Sequence, residues 1–170
     1  MKVLGIDPGT AVMGYGVVER GTGPRHRLVE CGTLTTRARD TLPARLRLLH
    51  EGTTALIARH APDAVAVESA FYGKNVRTTV VLSHARGVIL LAAEEAGVTI
   101  AEYSPAEVKK TIVGRGAALK PQVAYMVAQL LRLSAPPRPA DAADGVAVAL
   151  THLLLALKPL PTLRQATGVR

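Results

Sequence analysis

Apolar positions along this chain change their period as the sequence proceeds. Val3, Leu4 and Ile6 form a short run, and Met13, Tyr15, Val17 and Val18 form another after the turn-forming residues Asp7, Pro8, Gly9 and Thr10. Two short strands joined by a turn are predicted. A third strand is predicted over residues 27–35, where Leu28, Cys31 and Leu34 are mixed with polar residues. Three successive strands with tight connections suggest an antiparallel meander. From Leu42 the spacing becomes three and four: Leu42, Leu46, Leu49, Thr53, Leu56 and Ile57 share one side, while Arg45, Arg47, Glu51 and Arg59 occupy others. This is the pattern of an amphipathic helix, ended by Pro62 and Asp63.

Ala64, Val65, Ala66 and Val67 fit a strand buried on both faces. Its last residue is an acid, Glu68. A long helix over about 75–96 should follow, closed by Gly97, then a strand at 98–101. Ser104, Pro105 and Glu107 carry the signature of a capping box opening a helix that reaches about Val113. Gly114 and Gly116 break it. A further helix is predicted over 121–133, with Val123, Val127, Leu130 and Leu131 on one side. The proline-rich stretch 134–139 separates it from a last helix, from Asp141 to about Lys158. Strands first, then strands alternating with helices, indicate an α/β fold with a mixed sheet covered by helices. The order also suggests one domain over 1–158, followed by a basic tail over 159–170 that looks frayed.

Composition limits this picture without changing it. The 170 residues, nearly half of them hydrophobic, suit one compact domain; with one Phe and four Tyr, the core must be largely aliphatic. A single cysteine, Cys31, allows no intramolecular disulfide and suits a reducing cytosol. The N-terminus meets Asp7 and Pro8 too early for a signal-peptide apolar region, and the apolar stretch 145–157 is too short to span a bilayer. A soluble cytoplasmic protein is expected. Charge adds more: 21 Lys and Arg against 13 Asp and Glu give +8, which favours a polyanionic partner, nucleic acid before membrane.

Against that basic background the acids Asp7, Glu68, Asp141 and Asp144 stand out. Two end apolar strands, where a desolvated charge is costly unless paired or bound to metal. Asp141 and Asp144 are three apart at the start of a helix, and so project from one face. Each has a simpler reading: Asp7 as a turn residue, Asp141 and Asp144 as helix cap and first-turn acids. Gathered together, they are the hard oxygen ligands that Mg²⁺ and Mn²⁺ prefer. Two such ions about 3.5–4 Å apart serve phosphodiester cleavage. Phe71 and Tyr72, beside Gly73, Lys74, Asn75 and Arg77, form a polar loop from which an aromatic face could stack on an unpaired base. Lys109, Lys110, Arg115 and Lys120 surround a glycine-containing loop suited to phosphate contacts, or form a solvated charged face.

The segments Gly5 to Thr10, Gly14 to Val17, Glu68 with Phe71, Lys74 and Asn75, Ala85 to Val88, Val108 with Lys109, Val113 with Gly114, and Ala140 to Asp144 resemble, in order and interval, the bacterial RuvC Holliday junction resolvases. The resemblance covers nearly the whole chain. It implies a ribonuclease H-like α/β fold with a mixed five-stranded sheet, a homodimer acting on four-way junction DNA, and two symmetric cuts in recombination and repair. It also implies Mg²⁺ as cofactor, two ions per site with Mn²⁺ able to substitute, and docking with the branch-migration motor subunits RuvA and RuvB. On the same ground Asp7, Glu68, Asp141 and Asp144 are the metal-binding catalytic acids, Lys109 and Lys120 are DNA contacts, and Phe71 stacks at the junction. His84 departs from the family's usual Gln at that place. Its predicted role is on the helix surface or in packing, because no second His lies at ligand spacing.

Three other readings compete. The turn Asp7-Pro8-Gly9-Thr10 resembles the first phosphate loop of actin-like and sugar-kinase-like proteins, but a second lobe and a second phosphate motif are lacking. A non-catalytic DNA-binding protein would not need the acids. A pre-ribosomal RNA nuclease of related fold shares the first-strand motif and is the nearest rival.

Overall fold

The computed structural model describes residues 1–21, 25–69 and 76–156. Among these described residues, five strands and five helices follow one another as β1 (Lys2–Asp7), β2 (Val12–Arg20), β3 (His26–Thr35), α1 (Leu42–His60), β4 (Ala64–Glu68), α2 (Val76–Glu95), β5 (Thr99–Tyr103), α3 (Pro105–Val113), α4 (Lys120–Leu131) and α5 (Ala140–Leu155). The strands form one mixed sheet in the order β3-β2-β1-β4-β5. β1, β2 and β3 are the antiparallel meander read from the sequence, while β1 pairs with β4, and β4 with β5, in parallel.

Alternation along the central strands sends side chains to two different layers. Leu4, Ile6, Met13, Tyr15, Val17, Val65 and Val67 face one side, where Leu49, Leu56 and Ile57 of α1 and Ala85, Ile89 and Ala93 of α2 cover them. Val3, Val18 and Ala66 face the other, against Val108 and Ile112 of α3, Val123 and Val127 of α4, and Val146, Leu150 and Leu153 of α5. Ala64 to Val67 are buried throughout, as expected of a strand covered on both faces.

Helix boundaries follow local chemistry. The Ser104 hydroxyl accepts from the Glu107 N–H at 3.2 Å while the Glu107 carboxylate accepts from the Ser104 N–H at 2.8 Å, so the capping box is formed. Gly114 then ends α3 with φ 86°. α4 starts one residue earlier than expected and stops two residues earlier. Arg132 takes a left-handed φ of 54° and its N–H returns to Ala128 and Gln129 carbonyls, a turn that the continuing apolar pattern concealed. α5 begins at Ala140, with Pro139 as its N-cap and no side-chain cap. Asp141 therefore does not cap this helix. No helix among the described residues is long and apolar enough to cross a membrane.

Candidate active site

Asp7 is the last residue of β1 and Glu68 the last of β4, one position beyond the registered pair Ile6 and Val67. By alternation both point to the sheet face that carries Val3, Ala66 and the α3–α5 layer. The parallel pairing of two strands that end at one edge thus brings together acids sixty-one positions apart.

The other two acids arrive on α5, which lies across β1 and β2 at backbone distance. Glycine permits that approach. A Cβ on Gly14 would fall 1.8 Å from the Asp141 carbonyl oxygen, and one on Gly5 would fall 2.3 Å from the Gly145 carbonyl oxygen. Gly145 reciprocates, since a Cβ there would reach 2.5 Å from the Tyr15 Cα. Because Gly14 is the registered partner of Asp7, the closest contact between helix and sheet lies beside the first acid. One carboxylate oxygen from each of Asp7, Asp141 and Asp144 lies within 4.8 Å of the others. Glu68 stands outside that tightest group but shares with Asp7 and Asp144 the wall of a cavity of about 120 Å³.

Gathering the acids has an electrostatic cost. Burial, the charges of Asp144 and Asp141, and a partly offsetting Lys120 leave Asp7 with a pKa raised to about 6. Glu68 rises to about 7, again through burial first and then through Asp7 and Asp144, against the opposing charges of Lys120 and Lys109. The Lys120 ammonium donates to Asp144 Oδ2 at 2.6 Å, and this hydrogen bond raises the lysine's own pKa despite partial burial. Three converging carboxylates plus a fourth at the wall, with burial first and neighbouring acids second raising the pKa of Asp7 and Glu68, are a donor set matched to a divalent cation. Neither cysteine nor histidine belongs to it, so soft-metal chemistry has no ligands here.

Residues 3–152 match the family model described as crossover junction endodeoxyribonuclease RuvC. A crossover junction endodeoxyribonuclease RuvC of Chloroflexus aggregans is 49% identical over 165 residues, covering 97% of this chain and 98% of that protein. The chain belongs to the RuvC family. Its fold superposes on the Thermus thermophilus RuvC structure with a TM-score of 0.84 at 38% identity, over 92% of this chain and 95% of that one. T. thermophilus RuvC in complex with Holliday junction substrate gives a TM-score of 0.83 at 35% identity, with the same coverage of both chains. The ribonuclease H-like fold expected from the sequence is therefore that of the RuvC family.

In this RuvC-family chain the predicted cations divide. Lys109 and Lys120 line the acid cavity with Asp7, Glu68 and Asp144. Lys110 lines a different groove, with Thr111 and Leu154, and Arg115 is exposed in the loop after α3. Phe71, Tyr72 and Lys74 lie outside the described residues, as does the Arg77 side chain. His84 is exposed on α2, its ring Nδ1 2.8 Å from the Val80 carbonyl oxygen, as a helix-surface residue. Arg86, read from the sequence only as part of the matching segment Ala85 to Val88 and given no role, and Ser69, not singled out, line a second cavity of about 200 Å³ together with Asp7 and Glu68. Arg86 had a visible signal, a lone cation on the otherwise apolar stretch Val88 to Ala93 and Ala85 of α2, but its partner Glu102 lies on a strand whose pairing only the fold supplies.

Proposed function

We propose that this chain resolves four-way DNA junctions by paired, symmetric, Mg²⁺-dependent phosphodiester hydrolysis in recombination and repair, with Asp7, Glu68, Asp141 and Asp144 as the metal-binding catalytic acids. The observation that carries this reading is the convergence of Asp7, Asp141 and Asp144 within 4.8 Å, with Glu68 beside them, in a chain of the RuvC family.

Those four acids are the residues that would hold Mg²⁺, as two ions, or Mn²⁺ in its place. When bound, the metal would lower the pKa of a water aimed at phosphorus and stabilise charge on the departing oxygen. The remaining chemistry belongs to the protein. Asp7 and Glu68 release their protons as the site fills. Lys120 holds Asp144 in place through its 2.6 Å hydrogen bond, and with Lys109 it attracts and orients the DNA phosphate at the mouth of the cavity. Water forms the new P–O bond, the P–O3′ bond breaks, and the products are a 5′-phosphate and a 3′-hydroxyl that a ligase can seal.

One site cuts one strand, so paired cuts require a homodimer. The face of α2 supports that assembly. Phe71, Tyr72, Lys74 and Arg77 enter this reading as contacts to the opened junction, with Lys110 and Arg115 as outlying phosphate contacts. Residues 1–158 act as one nuclease domain with a basic tail over 159–170, in the cytoplasm, where RuvA and RuvB would deliver the junction.

The test is incubation with a labelled mobile four-way junction, with and without Mg²⁺. Symmetric nicks that appear with metal alone are expected. Cutting of structured RNA in preference to the junction would move the chain to the ribonuclease reading.

A further inference from the structure

The acid cleft has two chambers, and Asp7, Glu68 and Pro105 form a wall common to both. Lys109 and Lys120 lie in one. The other, larger chamber holds Ser69 and Arg86, and Arg86 is the one cationic side chain among the described residues that line it. A polyanionic strand crossing the shared wall would thus meet positive charge on each flank of the acids.

Arg86 is built for more than a surface ion pair. Its Nε donates to Glu102 Oε2 at 2.7 Å, and Nη2 donates to the same oxygen. Glu102 is the registered partner of Val67, the residue before Glu68. The guanidinium is therefore tied to β5, the strand paired in parallel with the one that delivers Glu68 to the cleft, and its side chain is 30% exposed. A guanidinium offers five N–H donors in a rigid fork. Two are committed to a single carboxylate oxygen, and among the described residues none of the hydrogen bonds engages Nη1. A fixed, half-desolvated fork with spare donors is a phosphate-binding geometry.

We propose that Arg86 binds a non-scissile phosphate of the cut strand, next to the phosphate held at the acids and on the side away from Lys109 and Lys120. This rests on the junction-cutting reading of the site. The opposing account is that Arg86 merely clamps α2 to β5 through Glu102.

A walk of single neutral methylphosphonate linkages across the phosphates flanking the cut site separates the two. With natural linkages, Arg86→Ala should slow single-turnover cleavage about 10- to 100-fold, the range for losing a charge-assisted hydrogen bond. One methylphosphonate should slow the parent comparably, and on that substrate Arg86→Ala should add no more than about a twofold loss, because both changes remove the same contact. Metal-free junction binding gives a second readout: the slope of log affinity against log salt should fall by about 0.9, one phosphate contact. Equal losses at every linkage with an unchanged slope would leave Arg86 a clamp and overturn the proposal, as would a variant that cuts like the parent. If Arg86→Ala melts below the assay temperature, Arg86→Lys takes its place in the walk, and its loss either vanishes at one linkage or does not. A parent that cuts no junction would instead remove the functional reading beneath both.

Discussion

At Asp7 the sequence leaves open a turn residue and a metal ligand, and the environment of its carboxylate makes the two readings testable. Asp7 and Glu68, with pKa values of about 6 and 7 against ordinary values of 3.8 and 4.5, bind protons more tightly in the fold than in the unfolded chain. Folding without metal therefore takes up protons as pH rises from about 4 to 7, and stability falls through that window and then levels. Asp7→Asn abolishes this ionisation. The variant should be more stable than the parent at pH 7.5 by about 1–3 kcal/mol, with the advantage vanishing near pH 4 in thermal melts. It should bind junctions yet cut at least about 100-fold more slowly, beyond the loss of a residue that only orients a ligand. Equal melting at pH 7.5 would mean that the fold bears no cost for the Asp7 charge. The same protons compete with the cation, so cleavage by the parent should rise between about pH 5.5 and 7.5 and then flatten, as a pH–rate profile at fixed metal would show. A profile flat from pH 5.5 upward would contradict the assignment of either acid as a ligand.

Elements were more legible than their mutual placement. The change from strand to helical spacing marked α1, and the Ser104–Glu107 box marked the start of α3, because both signals are local. The paired acids of α5 were visible as residues three apart. Nothing local, however, says that α5 crosses β1 and β2, or that Arg86 reaches Glu102. What brings α5 to the sheet is an absence of side chains at Gly5, Gly14, Gly16 and Gly145, and the sequence shows those residues without showing that they face one another. The distinction can be tested between two glycines. At Gly14 a new methyl meets the Asp141 carbonyl at 1.8 Å, so Gly14→Ala must displace the N-terminal turn of α5. It should lower stability by about 1–3 kcal/mol, as overpacking does, and weaken metal binding measured by calorimetry. Gly87, inside α2, has open space at its Cβ position. Gly87 borders the apolar groove of α2, so in the monomer, where no partner fills that space, alanine should raise stability by about 0.5–1 kcal/mol through helix propensity. Chemical denaturation of both variants checks the contrast, and a stabilising Gly14→Ala would show that α5 does not depend on this close approach.

For the whole molecule, the proposed paired cuts raise the question of where a second copy of the chain would dock. Burial explains the inner face of α2, where Ala85, Ile89 and Ala93 are covered, but not its outer face. Val76, Val80 and Leu91 are 74%, 49% and 51% exposed, and together with Leu46 and Val88 they line an apolar groove of about 620 Å³ along α1 and α2. An apolar strip of that kind on a chain of +8 net charge is unusual unless a partner covers it. A two-fold interface uses the same patch on both subunits, so one substitution strikes it twice. Val80→Arg places two guanidinium groups in a surface that must lose its water, while leaving the half-exposed position tolerable within the monomer. Sedimentation should show the parental species falling to half its mass, with the melting transition of the monomer retained. Metal binding at the acids should persist, since Val80 lines no part of the acid cavities. On a junction the variant should lose coordinated double cuts far more than single nicks, because each cut then depends on a separate binding event. A Val80→Arg protein that sediments as the parent does would move the dimer contact off this face of α2.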